Sequence, residues 1–129
     1  LYIKKTETRK FIIIDAGMND WMRTALYDAQ HQIVPLEKKQ SKDSIETIIV
    51  GPICETTDQF ISIKEYSDVE EGEYLAILNT GAYGSSMSSN YNVRPLVDEI
   101  LIDKDNYNII RNRQSFEESI AQEIKINKN

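Results

Sequence analysis

Apolar and polar positions along the chain fall into short runs. Leu1 to Lys5, Phe11 to Ala16, Ile45 to Val50, Tyr74 to Leu78, Glu99 to Ile102 and Asn108 to Arg111 are rich in β-branched or aromatic residues and are divided by turn chemistry, the pattern of short strands. Ala16-Gly17-Met18-Asn19-Asp20, Glu70-Glu71-Gly72-Glu73 and Asp103-Lys104-Asp105-Asn106 place residues tolerant of unusual backbone angles between apolar runs, which predicts hairpin connections. Helical spacing occurs in two places. In Met22 to Gln30, Met22, Ala25, Leu26 and Ala29 recur on one face, with Asn19 or Asp20 as the expected cap. Phe116 to Ile124 follows Ser115, with Glu118 three residues on, a capping-box arrangement that predicts a C-terminal helix. The polar tail Lys125 to Asn129 is expected to fray. The expected fold is mainly β, a β-barrel or sandwich with short helices.

Composition narrows this picture. A chain of 129 residues can bury one core, so residues 1–129 are expected to form one domain. The net charge is −6, from 15 basic and 21 acidic residues, and no Lys/Arg cluster is interleaved with regularly spaced aromatics, which argues against nucleic acid as a partner. The apolar runs Phe11 to Ile14 and Ile48 to Val50 fall far short of the ~20 residues that span a bilayer, so a soluble protein is expected. A single cysteine, Cys54, and a single histidine, His31, leave no intramolecular disulfide and no zinc-like cluster; no metal and a reducing cytoplasm are expected. The sequence opens at Leu1 directly into a strand-like run, with neither an initiator Met nor a signal-peptide pattern, so it reads as part of something longer. No internal repeat or low-complexity linker is present.

Three segments could carry chemistry. Gly51-Pro52-Ile53-Cys54-Glu55-Thr56-Thr57-Asp58 follows a strand with a Gly-Pro turn and sets a thiol beside a carboxylate, a position suited to a site. Taken alone, Cys54 reads more readily as a small buried hydrophobe and Glu55 as a solvated charge. Asn79 to Asn92 is rich in Gly and Ser around Tyr83; its backbone amides and hydroxyls could cradle a phosphate, although it is no dinucleotide or P-loop fingerprint and also reads as an ordinary turn. Arg23 and Tyr27 share one face if their segment is helical, a pair able to hold a carboxylate, or else a surface Arg beside a partly buried Tyr. His31 has no visible partner and reads as structural.

In order, these segments resemble the C-terminal part of the diaminopimelate decarboxylase family, within the alanine-racemase-like, fold-type-III group of pyridoxal-phosphate (PLP) enzymes. The resemblance rests on Phe11 to Asp20, Met22 to His31, Val50 to Asp58, and Gly81-Ala82-Tyr83-Gly84 with Met87 to Asn92 and Arg94-Pro95. Four separate blocks in family order are far harder to meet by chance than one motif. Related ornithine and arginine enzymes typically follow the cysteine with aspartate and glycine, whereas Cys54 is followed by Glu55 and Thr56. Two departures stand outside the proposed contacts: Thr24 where the family commonly has proline, and Asn79-Thr80 before the glycine.

The resemblance implies that Arg23 and Tyr27 hold the distal carboxylate of a diaminopimelate substrate and that Glu55 receives its distal ammonium, a set that would reject ornithine, which has no distal carboxylate. It implies that Tyr83 reaches the cofactor phosphate and the substrate, and that Cys54 reprotonates the α-carbon after carbon dioxide leaves, thiols being mostly protonated at neutral pH. PLP would be the electron sink, bound through a lysine of an N-terminal (β/α)8 barrel that this sequence lacks. A homodimer follows, because the family supplies the cysteine and acid across an interface, and the parent would convert meso-2,6-diaminopimelate to L-lysine and carbon dioxide. The fragment alone is expected to be inactive. Alternatives are another decarboxylase of this fold, acting on ornithine, arginine or carboxynorspermidine-type substrates, and a non-catalytic β-domain that serves dimerisation.

Overall fold

A computed structural model describes residues 1–39 and 41–123. The chain divides into two compact units, Leu1–Ser88 and a second from Ser89 on.

In the first unit, β1 (Tyr2–Lys5), β2 (Arg9–Ile13), β4 (Glu46–Val50) and β5 (Gln59–Ile63) form one sheet in the order β1-β2-β4-β5, and β3 (Ile33–Pro35) pairs antiparallel with β6 (Leu75–Ile77). β2 runs parallel to β4, with Ile12 opposite Ile49. Parallel neighbours need a long crossover, and residues 14–45 supply it, carrying α1 (Arg23–Tyr27) and β3. Thr47, Ile48 and Ile49 are all buried, as suits a central strand covered on both faces. Ile12, Ile49 and Phe60 of the sheet, Ile33 of β3, and Trp21, Tyr66 and Val69 form one cluster, with Leu75 and Ile77 packed against it. Between β4 and β5 the register slips between Ile49↔Ile61 and Val50↔Gln59, making Phe60 an extra residue two positions beyond the 51–58 loop.

Charge is also buried in this unit. Lys10, 3% exposed, lies 3.1 Å from Asp68 and 3.7 Å from Asp43. The hydrogen bond from Lys5 to Asp43, with a backbone N–H from Ile45, holds the Asp43 carboxyl below its usual range. Burial pushes the Tyr66 phenol up to about 12, and its hydroxyl has no partner among the described residues.

The second unit contains a 3-10 turn at Tyr91–Val93, a hairpin of β7 (Glu99–Asp103) and β8 (Asn106–Arg111), and α3 (Phe116–Ser119). Ile100, Ile102, Tyr107 and Ile109 face one side of the hairpin by register and alternation, and all are exposed. Lys104 takes the left-handed turn conformation (φ 55°).

All six expected strands form, with shifted ends, and the fold is mainly β. β3 and β5 are additional: β3 is short and ends in Pro35, and β5 has apolar residues on both faces, which blurs its alternation. No closed barrel forms among the described residues. The turns at residues 16–20 and 70–73 are not hairpins, since one leads from β2 towards α1 and the other from β5 towards β6 of a different sheet. The helix expected over Met22 to Gln30 is confined to Arg23–Tyr27 because Asp28 turns left-handed (φ 52°) and its N–H closes on Arg23 O and Thr24 O. Neither Asn19 nor Asp20 caps that helix; Met22 precedes it without a side-chain cap, and Asp20 instead accepts the Gly17 N–H, closing its own turn. The Ser115–Glu118 capping box forms as expected, with both reciprocal bonds present. Its helix ends at Ser119; Ile124 and the Lys125 to Asn129 tail lie outside the described residues. No described helix is long and apolar enough to cross a membrane.

Candidate functional site

The 51–58 loop is built around one buried carboxylate. Where β4 ends, Gly51 N–H donates to Asp58 O (2.9 Å), closing the loop at its base, while Asp58 N–H donates to Glu55 O (3.1 Å) and Glu55 N–H to Ile53 O (2.8 Å). The Asp58 side chain, 4% exposed, accepts the Ile53 N–H at Oδ2 (2.7 Å) and the Met18 N–H at Oδ1 (2.7 Å). A Cβ at Gly51 would lie 2.3 Å from Oδ2, so only glycine lets the carboxylate close under the loop. Gly17 is constrained likewise: a Cβ there would lie 2.8 Å from Ile53 Cδ1.

With Ile53 and Asp58 turned inward, Cys54 and Glu55 are left at the exposed tip. Cys54 is a free, exposed thiol, which overturns its reading as a small buried hydrophobe. Residues 54–57 form an exposed stretch between the two inward-turned residues Ile53 and Asp58. Glu55 Oε1 accepts from the Thr56 N–H (3.1 Å) and hydroxyl (3.5 Å).

A second group gathers on α1 and the segment after β6. Arg23 and Tyr27 are the first and last residues of α1, one turn apart. The Arg23 guanidinium carbon lies 5.4 Å from the centroid of the Tyr83 ring, within cation–π range. Among the described residues no carboxylate pairs with Arg23. Tyr27 and Tyr83 are 65% and 60% exposed, so the partly buried Tyr expected beside a surface Arg is not what forms. Tyr83 adopts a left-handed backbone (φ 68°) ahead of α2 (Gly84–Met87), a conformation costing a bulky residue roughly 1–3 kcal/mol. Two amides of that segment are turned inward, Met87 N–H to Tyr83 O and Ser88 N–H to Ser85 O. The phenol of Tyr83 is exposed there.

His31, structural as the sequence suggested, and Trp21, whose role had no sign in the sequence, support this second group. Buried Trp21 packs edge-on against His31 (centroids 4.7 Å, 86°), and a Cβ at Gly84 would touch its ring at 3.5 Å. His31 Nδ1 is hydrogen-bonded to Leu78 O (2.9 Å), so one aromatic pair holds α1 against the start of the 79–88 segment. Asp58 was the other organising residue missed: it lies within the quoted segment, but nothing in its spacing announced burial.

Between the two groups, Thr24 to Asp28 and Gln30 face Thr56, Thr57 and residues 59–62 across an open cleft of about 700 Å³. Cys54 and Glu55 sit on one loop, whereas Arg23, Tyr27 and Tyr83 form a separate constellation. No three His, Cys, Asp or Glu side chains are grouped to hold a metal among the described residues.

Residues 1–81 match the family profile described as pyridoxal-dependent decarboxylase, C-terminal sheet domain. The chain is 42% identical over 125 residues to diaminopimelate decarboxylase of Aquifex aeolicus, covering 97% of this chain and 30% of that protein. It is 40% identical over 133 residues to the Escherichia coli K12 enzyme of the same name, covering 95% of this chain and 32% of the relative. The structure of diaminopimelate decarboxylase from M. jannaschii in complex with L-lysine superposes with a TM-score of 0.89 at 41% identity, covering 97% of this chain and 28% of that one. The chain thus spans about 30% of the length of these relatives.

Proposed function

The chain belongs to the pyridoxal-dependent decarboxylase family, as its C-terminal sheet domain, and from that premise we propose that it is the β-domain of a two-domain diaminopimelate decarboxylase. The parent converts meso-2,6-diaminopimelate to L-lysine and carbon dioxide, and residues 1–129 alone do not turn over. One observation carries the choice of substrate. A guanidinium without a carboxylate partner among the described residues is stacked on Tyr83 one helical turn from the exposed Tyr27 phenol, a receptor for a carboxylate at the far end of an amino acid.

Arg23 and Tyr27 grip the distal carboxylate, and Glu55 takes the distal ammonium beside it. Pyridoxal phosphate, when bound in the parent, supplies the electron sink that accepts the electron pair released as the α-carboxylate leaves. The exposed phenol of Tyr83 fits a cofactor phosphate approaching from outside this chain. The Cys54 thiol, equally exposed, delivers its proton from Sγ to the α-carbon. Both groups are complete at the surface yet lack the cofactor's lysine, which fits a site finished by an N-terminal barrel of the same polypeptide. Because Cys54 and Glu55 stand on one loop while Arg23 stands on α1 beside Tyr83, we assign the Cys54 pair to the site of a second protomer, making a homodimer the active form. The cytoplasm is its compartment. A sandwich-like packing of the two sheets of the first unit belongs to this reading too, supported by the cluster that β2, β4 and β5 share with β3 and β6.

The test is a carbon dioxide release assay on the full-length, cofactor-loaded protein with meso-diaminopimelate and with ornithine. Turnover of the first and rejection of the second is expected, and Arg23→Ala should narrow the gap. Equal turnover of both substrates, unchanged by Arg23→Ala, would favour the broader decarboxylase alternative; turnover of neither would leave a non-catalytic β-domain.

A further inference from the structure

We infer that Asp58 is a positioning residue that sets both halves of the site from below, and this rests on the roles proposed above for Cys54 and Arg23. Its two carboxylate oxygens serve two different segments. Oδ2 holds the Ile53 amide, immediately before Cys54, and Oδ1 holds the Met18 amide, in the turn that leads through Trp21 into α1 and Arg23. The loop also bonds to itself through Asp58, whose carbonyl accepts Gly51 N–H and whose amide donates to Glu55 O. A further contact links the same two segments, from the Thr57 hydroxyl to the Met18 sulfur at 3.7 Å.

The chemistry of the clamp is specific. Both backbone groups are donors, so the side chain between them must be an acceptor at each oxygen. A carboxylate satisfies both; an amide of the same shape must turn an NH2 towards one of the two N–H groups and lose that bond. Gly51 and Gly17 leave the space that this closure needs, since a Cβ at either would fall within 2.8 Å of Asp58, Asn19 or Ile53 side-chain atoms. Asp58 itself is buried, so it reaches the chemistry only through the segments it holds. If Cys54 serves a second protomer's site, Asp58 ties the element donated to one site to the helix that selects substrate in the other.

Three measurements on the full-length, cofactor-loaded protein decide this. In Asp58→Asn, kcat is expected to fall at least tenfold and KM for meso-diaminopimelate to rise at least fivefold. Cys54→Ala should depress mainly kcat, and Arg23→Ala should raise mainly KM. The rate of Cys54 alkylation by iodoacetamide should also change at least fivefold in Asp58→Asn, a readout independent of turnover. A folded Asp58→Asn protein with kcat, KM and alkylation rate all within twofold of the unaltered protein would overturn the clamp. If the variant does not fold, hydrogen exchange in the unaltered protein decides: Met18 and Ile53 amides should exchange at least 100-fold more slowly than their intrinsic rates, and near-intrinsic exchange refutes the inference. Should the unaltered parent fail to decarboxylate, the proposed function falls, while alkylation and exchange still judge Asp58.

Discussion

The 51–58 loop and the 79–88 segment each present residues of the proposed site, and they are held in opposite ways. The first is tied from within by a buried carboxylate and closed at its base by Gly51. The second is held from outside: Gly84 lies near Trp21, Leu78 O is bonded to His31, and Tyr83 rests against the Arg23 guanidinium in a left-handed backbone. A loop pinned by short hydrogen bonds to a buried acceptor has little freedom to adjust. A segment that rests largely on ring contacts, and is anchored through Leu78 at its start, can yield. The division suits the proposed roles, since a proton donor must meet one carbon atom, whereas a phenol that follows a bound phosphate and substrate gains from compliance.

Substitutions in the two loops test that contrast. The largest effect is expected from Cys54→Ala in the full-length protein, where loss of the proposed proton donor should lower kcat about 10²- to 10⁴-fold; a smaller loss than that from Tyr83→Phe, measured side by side, would reverse the ranking of the two loops. Next, the same methyl group should act differently in each loop. Gly51→Ala drives a Cβ into the Asp58 carboxylate and should destabilise by ~1–3 kcal/mol or more. Gly81→Ala meets nothing within 4 Å and has no left-handed φ, so its denaturation midpoint should imply a change within ~0.5 kcal/mol.

Smaller again is Tyr83→Leu, which removes the ring beneath Arg23 and with it ~0.5–1 kcal/mol of cation–π attraction. Its signature should be a two- to fivefold rise in KM with melting temperature little changed. A large stability loss would mean that the segment is pinned as firmly as the 51–58 loop.

Tyr66, in neither loop, is the control. Tyr66→Phe removes a buried hydroxyl without a partner among the described residues and should alter stability at neutral pH by less than ~1 kcal/mol, in the favourable direction. The Tyr66 pKa is raised by burial from 10.0 to about 12, so the unfolded chain loses this proton first as pH rises. Its contribution is therefore full below pH 10 and lost progressively towards pH 12. Urea denaturation across that window should show a shallower fall for Tyr66→Phe than for the unaltered protein.

Much of the strand layout was legible because alternation and turn chemistry are local. The runs at Glu46–Val50 and Glu99–Asp103 declare themselves through β-branched residues, and the Ser115–Glu118 box is a spacing rule with a local mechanism. β3 and β5 escaped notice because a proline-ended strand and one apolar on both faces draw their identity from partners far along the chain. The α1 cap was misread for a similar reason. Asp20 accepts the N–H of Gly17 three residues back, in the turn that precedes buried Trp21 and the helix.

What the sequence alone determined was membership by order: four blocks, each ambiguous singly, whose succession specified the family and named Arg23, Tyr27, Cys54, Glu55 and Tyr83 as candidates. What only the tertiary structure decided was how they are held and which way they face. Cys54 is exposed because Ile53 and Asp58 turn inward, and Arg23 meets Tyr83 across an intervening stretch of chain that includes β3 to β6. Burial and long-range contact depend on the whole packed chain rather than on spacing along it, which is why the acid beneath the loop could be read as a residue but not as a clamp.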